Sequence, residues 1–170
     1  MSKTTIAVDV MGADLGPAAA IEGAVQASIE YPDVKLALVG DEEIIKKELA
    51  VIALKYPQNA PFEFEVIHAP EVIGFDEQPT VAIKQKKNSS IVVGLKHLKA
   101  GGAQGFVSAG STGALLVGVF AYAKRQPGIQ RPALCALLPT KKGFTLLLDC
   151  GANAEVKPQY LLQFGQLGSA

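Results

Sequence analysis

Three short stretches of this sequence group residue types that can do chemistry. In Val107-Ser108-Ala109-Gly110-Ser111-Thr112-Gly113-Ala114, glycines and hydroxyls stand between an apolar β-type run and a helical one. Backbone amides at a helix start, with the macrodipole behind them, suit a phosphate group held by main-chain N–H donors. The spacing matches neither a Walker loop nor GxGxxG, and a tight turn capped by Ser111 or Thr112 fits the same residues.

In the second stretch Asp9 and Asp14 flank Gly12 just after an apolar run. Paired carboxylates in one loop can position a proton, an amide or a cation, and a role as cap and turn fits them equally. In the third, Asp149, Asn153 and Lys157 gather beside Gly151 and offer an acceptor, a donor and a cation. The run Lys84, Lys86, Lys87 reads as a solvated helix face or as a recruiter of phosphate or of an acidic protein. His68 and His97 have no catalytic partner in the sequence and read as packed or surface histidines.

The elements that must position these stretches follow from periodicity. Apolar, β-branched runs at Thr4 to Val8, Lys35 to Val39, Phe62 to Ile67 and Gln104 to Val107 alternate with helical patterns, which predicts a parallel α/β sheet. Pro17 suits the first turn of a helix reaching about Tyr31, and Asp41-Glu42-Glu43 suits the start of one reaching about Tyr56. Pro70, Gly74 and Pro79 argue against regular structure over residues 69–79, where a mobile loop is expected. A short basic helix over Thr80 to Lys87, a cap at Asn88-Ser89-Ser90 and a helix over Ile91 to Lys99 come next. The helix that begins near Gly113 is expected to run to about Arg125.

Ala133 to Leu138 and Phe144 to Leu148 are separated by too few residues for a parallel crossover, so an antiparallel hairpin is predicted. The second of these runs is apolar on both faces, as a central, covered strand would be. Pro158 opens a last helical pattern that is still running at the final residues. One α/β domain over residues 1–170 is therefore expected, as the N-terminal portion of a longer protein.

Composition narrows the function classes. The chain has 170 residues, 49% of them hydrophobic, with 16 basic and 16 acidic side chains that cancel. That supports a real core and gives no broad electrostatic footprint for nucleic acid. The longest apolar stretch, Gly113 to Ala123, is about half the roughly 20 residues of a membrane span. The early Asp9 and Asp14 break any secretory pattern, so a cytoplasmic location is expected. Cys135 and Cys150 lack metal-ligand spacing and read as reduced, unpaired packing residues.

At these same strand ends the sequence resembles the phosphate acyltransferases that act on acyl-acyl carrier protein, the PlsX family. The resemblance rests on IAVDVMGADLGP (Ile6 to Pro17), LVGDEE (Leu38 to Glu43), QKKNSSI (Gln85 to Ile91) and FVSAGSTGALL (Phe106 to Leu116). It continues through RPALCALLPTKKG (Arg131 to Gly143) and LLLDCGANAEVKPQYLLQFGQLGS (Leu146 to Ser169). These stretches keep the family's order and nearly fill the chain. Ala13 stands where the family usually has glycine and Ser111 where it has asparagine, so Ala13 would be unsuitable if that position needed positive φ.

The resemblance implies a three-layer α/β/α sandwich, mostly parallel with an antiparallel hairpin, related to isocitrate and isopropylmalate dehydrogenases. It implies attack of inorganic phosphate on the thioester of a long-chain acyl carrier protein, giving acyl phosphate, with no metal or organic cofactor. Gly110, Ser111, Thr112 and Gly113 would hold phosphate, Ser108 would orient it, and Lys84 or Lys157 would offset its charge. Asp9, Gly12, Asp14, Asp149 and Asn153 would shape the site. The remaining half of the family pattern would complete the sheet and acyl groove, form a homodimer and touch the membrane, where a glycerol-3-phosphate acyltransferase takes the product. A dehydrogenase of the related fold would need an acid cluster that this sequence does not show, and a non-catalytic phosphate-binding fragment is the other alternative.

Overall fold

Strands covered on both faces must be apolar on both, and the first two are. Residues 3–123 and 126–169 are described by a computed structural model, in which β1 (Thr4–Asp9) and β2 (Val34–Gly40) pair in parallel. Val8, Leu36 and Leu38 face helices α1 (Gly16–Glu30) and α2 (Glu42–Lys55), where Ile21, Val25, Ile45 and Ile52 complete a buried cluster. Ala7 and Val39, one step along the pleat, face the opposite layer. Each of the large side chains in these clusters contributes about 1.5–3 kcal/mol by leaving water.

The sheet gains β3 (Glu65–His68) beside β2 and β4 (Gly105–Ser108) beside β1, giving the parallel order β3-β2-β1-β4. Two short helices, α3 (Pro79–Gln85) and α4 (Ser90–Lys99), lie between β3 and β4 in the chain, and α5 (Thr112–Tyr122) follows. Val93 and Leu98 of α4 pack on the Ala7 and Val39 face, and Ile83, Ile91, Leu95 and Ala114 join α3, α4 and α5 in a further cluster. Helices thus cover both faces of the sheet, in the three-layer α/β/α arrangement expected.

The order in which strands are added reverses at β1. The first three strands step outward one way, and β4 returns to the other side of β1, so the ends of β1 and β4 form a topological switch point.

Some boundaries differ from the expectations. β3 begins at Glu65, where its pairing with Ala37 starts, rather than at Phe62; Phe62 and Phe64 stack ahead of it with ring centroids 6.3 Å apart. Segment 69–79 lacks a long element but is pinned. Glu71 N–H donates to Asn88 O and Glu71 O accepts from Ser90 N–H, at 3.3 and 3.1 Å, while Ile73 is buried. Helix α5 ends at Tyr122, short of the expected end near Arg125, because Ala123 is already extended at φ −84° and ψ 136°. Among the described residues no helix is long and apolar enough to cross a membrane.

Contacts divide the chain into two compact units, Met1–Ala123 and Lys124–Ala170. In the second, β5 (Cys135–Thr140) and β6 (Gly143–Leu148) form the predicted antiparallel hairpin, with Gly143 at φ 125° closing the turn. Helix α6 (Pro158–Gly168) buries Tyr160 and Phe164. The expectation of a covered β6 is corrected here: the strand is paired with β5 alone, and Phe144, Leu146 and Leu147 are exposed. The cysteines are free as expected but exposed rather than packed.

One close approach sets the position of β4. A Cβ on Gly94 of α4 would lie 2.3 Å from a ring carbon of Phe106, itself held between two apolar clusters. Alanine gains about 1 kcal/mol of helix propensity there, but overpacking costs about 1–3 kcal/mol. Gly94→Ala is therefore expected to lower the midpoint of chemical denaturation; a raised midpoint would contradict the packing described.

Candidate functional site

Asp9 closes β1, and its register partner across the sheet is Ser108, the last residue of β4. The Asp9 side chain is 2% exposed, so its carboxylate needs donors from the protein. It has three. Oδ1 accepts from the N–H groups of Met11 and Gly12 at 3.0 and 3.2 Å, and Oδ2 accepts from the Ser108 hydroxyl at 2.7 Å. Ser108 Oγ in turn accepts from Gly110 N–H at 3.1 Å. One carboxylate and one hydroxyl thus bind the loop after β1 to the loop after β4.

The loops touch through their glycines. A Cβ on Gly12 would sit 2.9 Å from Gly110 Cα and 2.9 Å from Asp9 Oδ2, and one on Gly110 would sit 3.3 Å from Gly12 Cα. A side chain at Gly12 would force the loops to shift, and one at Gly110 would be tight against them. Ala13 is not strained, since every described residue with positive φ is a glycine; Gly16, at 77°, takes that role in this loop.

Beyond Gly110 the chain enters α5. Ser111 is buried and caps the helix, its Oγ accepting from Ala114 N–H at 3.3 Å, a role in which serine and asparagine are interchangeable. Thr112 is exposed at the first helical position, and the amides of a first turn have no intrahelical partner. Gly113 faces Pro79, whose Cγ lies 2.9 Å from where a Cβ would be. The first unit therefore brings together Asp9, Gly12, Ser108 and Gly110, followed directly by Ser111, Thr112 and Gly113. Asp14 is exposed farther along the first loop and takes no part in these hydrogen bonds.

The lysine run separates into different environments. Lys84 is exposed on the last turn of α3. Lys86 is half-buried and donates to Glu77 Oε1 at 2.6 Å and to Val72 O at 2.7 Å. Lys87 donates to Ile83 O and the Tyr122 hydroxyl, each at 3.3 Å. The Lys86 and Gly74 donors hold the Glu77 carboxyl below its ordinary value. Sequence reasoning missed the Glu77 and Lys86 pair because nothing in the run distinguishes one lysine from the next. His68 accepts from Glu42 N–H at 3.2 Å, at the start of α2.

In the second unit, Asp149 and Asn153 form one network. Asp149 Oδ1 accepts from Leu134 and Ala152 N–H at 2.7 and 3.2 Å, and Oδ2 accepts from Asn153 N–H at 2.8 Å and from its side-chain amide at 3.1 Å. Asn153 also donates to Pro132 O at 2.9 Å. Gly151, at φ 112°, shapes the turn, and Lys157 is exposed where α6 begins. Asp149, Asn153 and Lys157 belong to a different unit from the Asp9 and Ser108 group.

Comparison with known proteins bears on what these loops are for. A family model described as "Fatty acid synthesis protein" matches residues 4–170. The chain belongs to that family. Phosphate acyltransferase of Brevibacillus brevis is 44% identical over 165 residues, 96% of this chain and 47% of the relative. That of Nitratidesulfovibrio vulgaris is 44% identical over 170 residues, 100% and 48% respectively, and that of Desulforamulus reducens is 46% identical over 164 residues, 96% and 47%. The chain spans about half the length of the curated relatives it matches. Within this family member, the matched region includes both networks described above.

The Asp149 network also has a pH signature. Burial raises its carboxyl, but the hydrogen bonds from Leu134, Asn153 and Ala152 outweigh that and hold it below its ordinary value. A group with a lowered folded pKa contributes stability above the unfolded value, about 3.9 for Asp, and loses it as pH falls through the folded value. Below about pH 4, the stability of Asp149→Asn is expected to fall less steeply with pH than that of the wild type. Parallel acid-unfolding curves would contradict this.

Proposed function

We propose that this chain carries the phosphate-holding part of a phosphate acyltransferase, which moves an acyl group from acyl-acyl carrier protein to inorganic phosphate. The observation that carries the reading is the junction of Asp9, Ser108, Gly12 and Gly110 at the switch point, directly before the α5 start. A helix start placed at such a crevice is suited to an anion, and the relatives named above act on phosphate by name.

In this proposal the amides of Gly110 to Gly113 bind phosphate, and a phosphate oxygen attacks the thioester carbonyl carbon. A C–O bond forms, the C–S bond breaks, and the carrier thiolate leaves and takes up a proton. Phosphate is already an anionic nucleophile, so holding it against the thioester and stabilising the tetrahedral oxyanion are the main demands. Ser108 acts by fixing Gly110, because its hydroxyl donates to Asp9. Lys84 or Lys157 is the cation assigned to offset charge, and Asp149 with Asn153 shapes the turn that precedes Lys157. The acyl phosphate would pass to a membrane glycerol-3-phosphate acyltransferase, with a homodimer and peripheral membrane contact assigned to the longer protein.

Coverage of about half of each relative favours one second reading, in which the chain binds phosphate but does not complete the transfer. Incubation with long-chain acyl-acyl carrier protein and phosphate, with acyl phosphate and free carrier thiol both measured, decides between them. Phosphate-dependent appearance of both products is expected for the transferase. Bound phosphate with an intact thioester would leave the binding reading, and a chain that neither binds phosphate nor cleaves thioester would contradict both.

A further inference from the structure

Helix α3 is only 7 residues long, too short to be stable alone, yet it carries Lys84 and abuts the start of α5. Its first residue, Pro79, lies against Gly113, and Ile83 lies 3.3 Å from where a Cβ on Gly118 would be. What holds the helix there is bonded at both of its ends. Glu77 precedes α3 and Lys86 follows it, and the two meet at 2.6 Å. Glu77 Oε1 also accepts from Gly74 N–H at 2.6 Å, and Lys86 also donates to Val72 O. Segment 72–77 and the two ends of α3 are thereby fixed to one another.

We propose that Glu77 and Lys86 are positioning residues for phosphate binding, holding α3 so that Pro79 supports the first turn of α5. The inference rests on the phosphate reading of that turn. Neither residue is assigned a contact with the anion. The side chains of the pair are 33% and 31% exposed, and an ion pair so open to water adds little stability. A merely structural pair should therefore be nearly silent, whereas a positioning pair should change phosphate affinity more than it changes melting.

The test is calorimetric titration of inorganic phosphate into this chain and into Glu77→Gln, Lys86→Met and the double variant, with melting temperatures measured beside it. Each single substitution is expected to weaken phosphate binding roughly three- to tenfold, and the double variant no more than the worse single one, because both break the same link. Amide exchange of Ala114 and Leu115 without phosphate should quicken in all three variants. Wild-type binding with variants within about twofold of it, or double-variant losses equal to the product of the singles, would overturn the proposal and leave the phosphate reading standing. A wild-type chain that binds no phosphate would overturn the reading itself, and the role assigned to the pair with it. Unchanged exchange at α5 would remove the link between pair and helix whatever the titration gives.

Discussion

A carboxylate taken out of water must find its donors within the fold, and at Asp9 this requirement joins two parts of the chain 99 residues apart. Two donors are amides of the loop that follows it, and the third is the hydroxyl of Ser108. Because that hydroxyl also accepts from Gly110, the geometry of the second loop is determined through the first. Removing the Ser108 hydroxyl would leave a buried carboxylate oxygen and a half-buried amide short of partners, the expensive way to lose a hydrogen bond.

The rest of the first unit serves this junction. Parallel pairing places Asp9 beside Ser108, and the reversal of strand order at β1 leaves no strand crossing over between their loops. Gly12 and Gly110 let the two backbones approach, and Gly94 lets α4 lie close over β4. Ser111 starts α5 at once, so the helix amides face the same crevice end of the sheet. The junction at the switch point is thus a consequence of topology, while its sensitivity is concentrated in a few close approaches.

Much of the fold was legible in the sequence because its signals are local. Apolar runs bounded by turns marked β1, β2 and β4, Pro17 and Asp41 marked helix starts, and five intervening residues marked the hairpin. Asp149 and Asn153 were grouped for the same reason, being four residues apart, whereas their Leu134 and Pro132 partners, 15 and 21 residues back, were not. The Asp9 and Ser108 bond was not legible, although both residues were singled out, because spacing does not reveal a contact between distant loops. Lys86 was hidden among similar lysines, its role fixed by Glu77 and a carbonyl nine and fourteen residues back. Hydrophobicity misled at β6, where apolar residues on both faces implied cover and the strand is open.

The central claim is that the Asp9 and Ser108 bond shapes a phosphate-holding loop. The most direct measurement is the dissociation constant of inorganic phosphate for Asp9→Asn beside that of the wild type, with circular dichroism showing that both are folded. The substitution places an amide where the Ser108 hydroxyl needs an acceptor, and affinity is expected to fall about tenfold or more, the scale of one to three kcal/mol for an unsatisfied buried group. A folded Asp9→Asn chain that binds phosphate as tightly as the wild type would contradict the account.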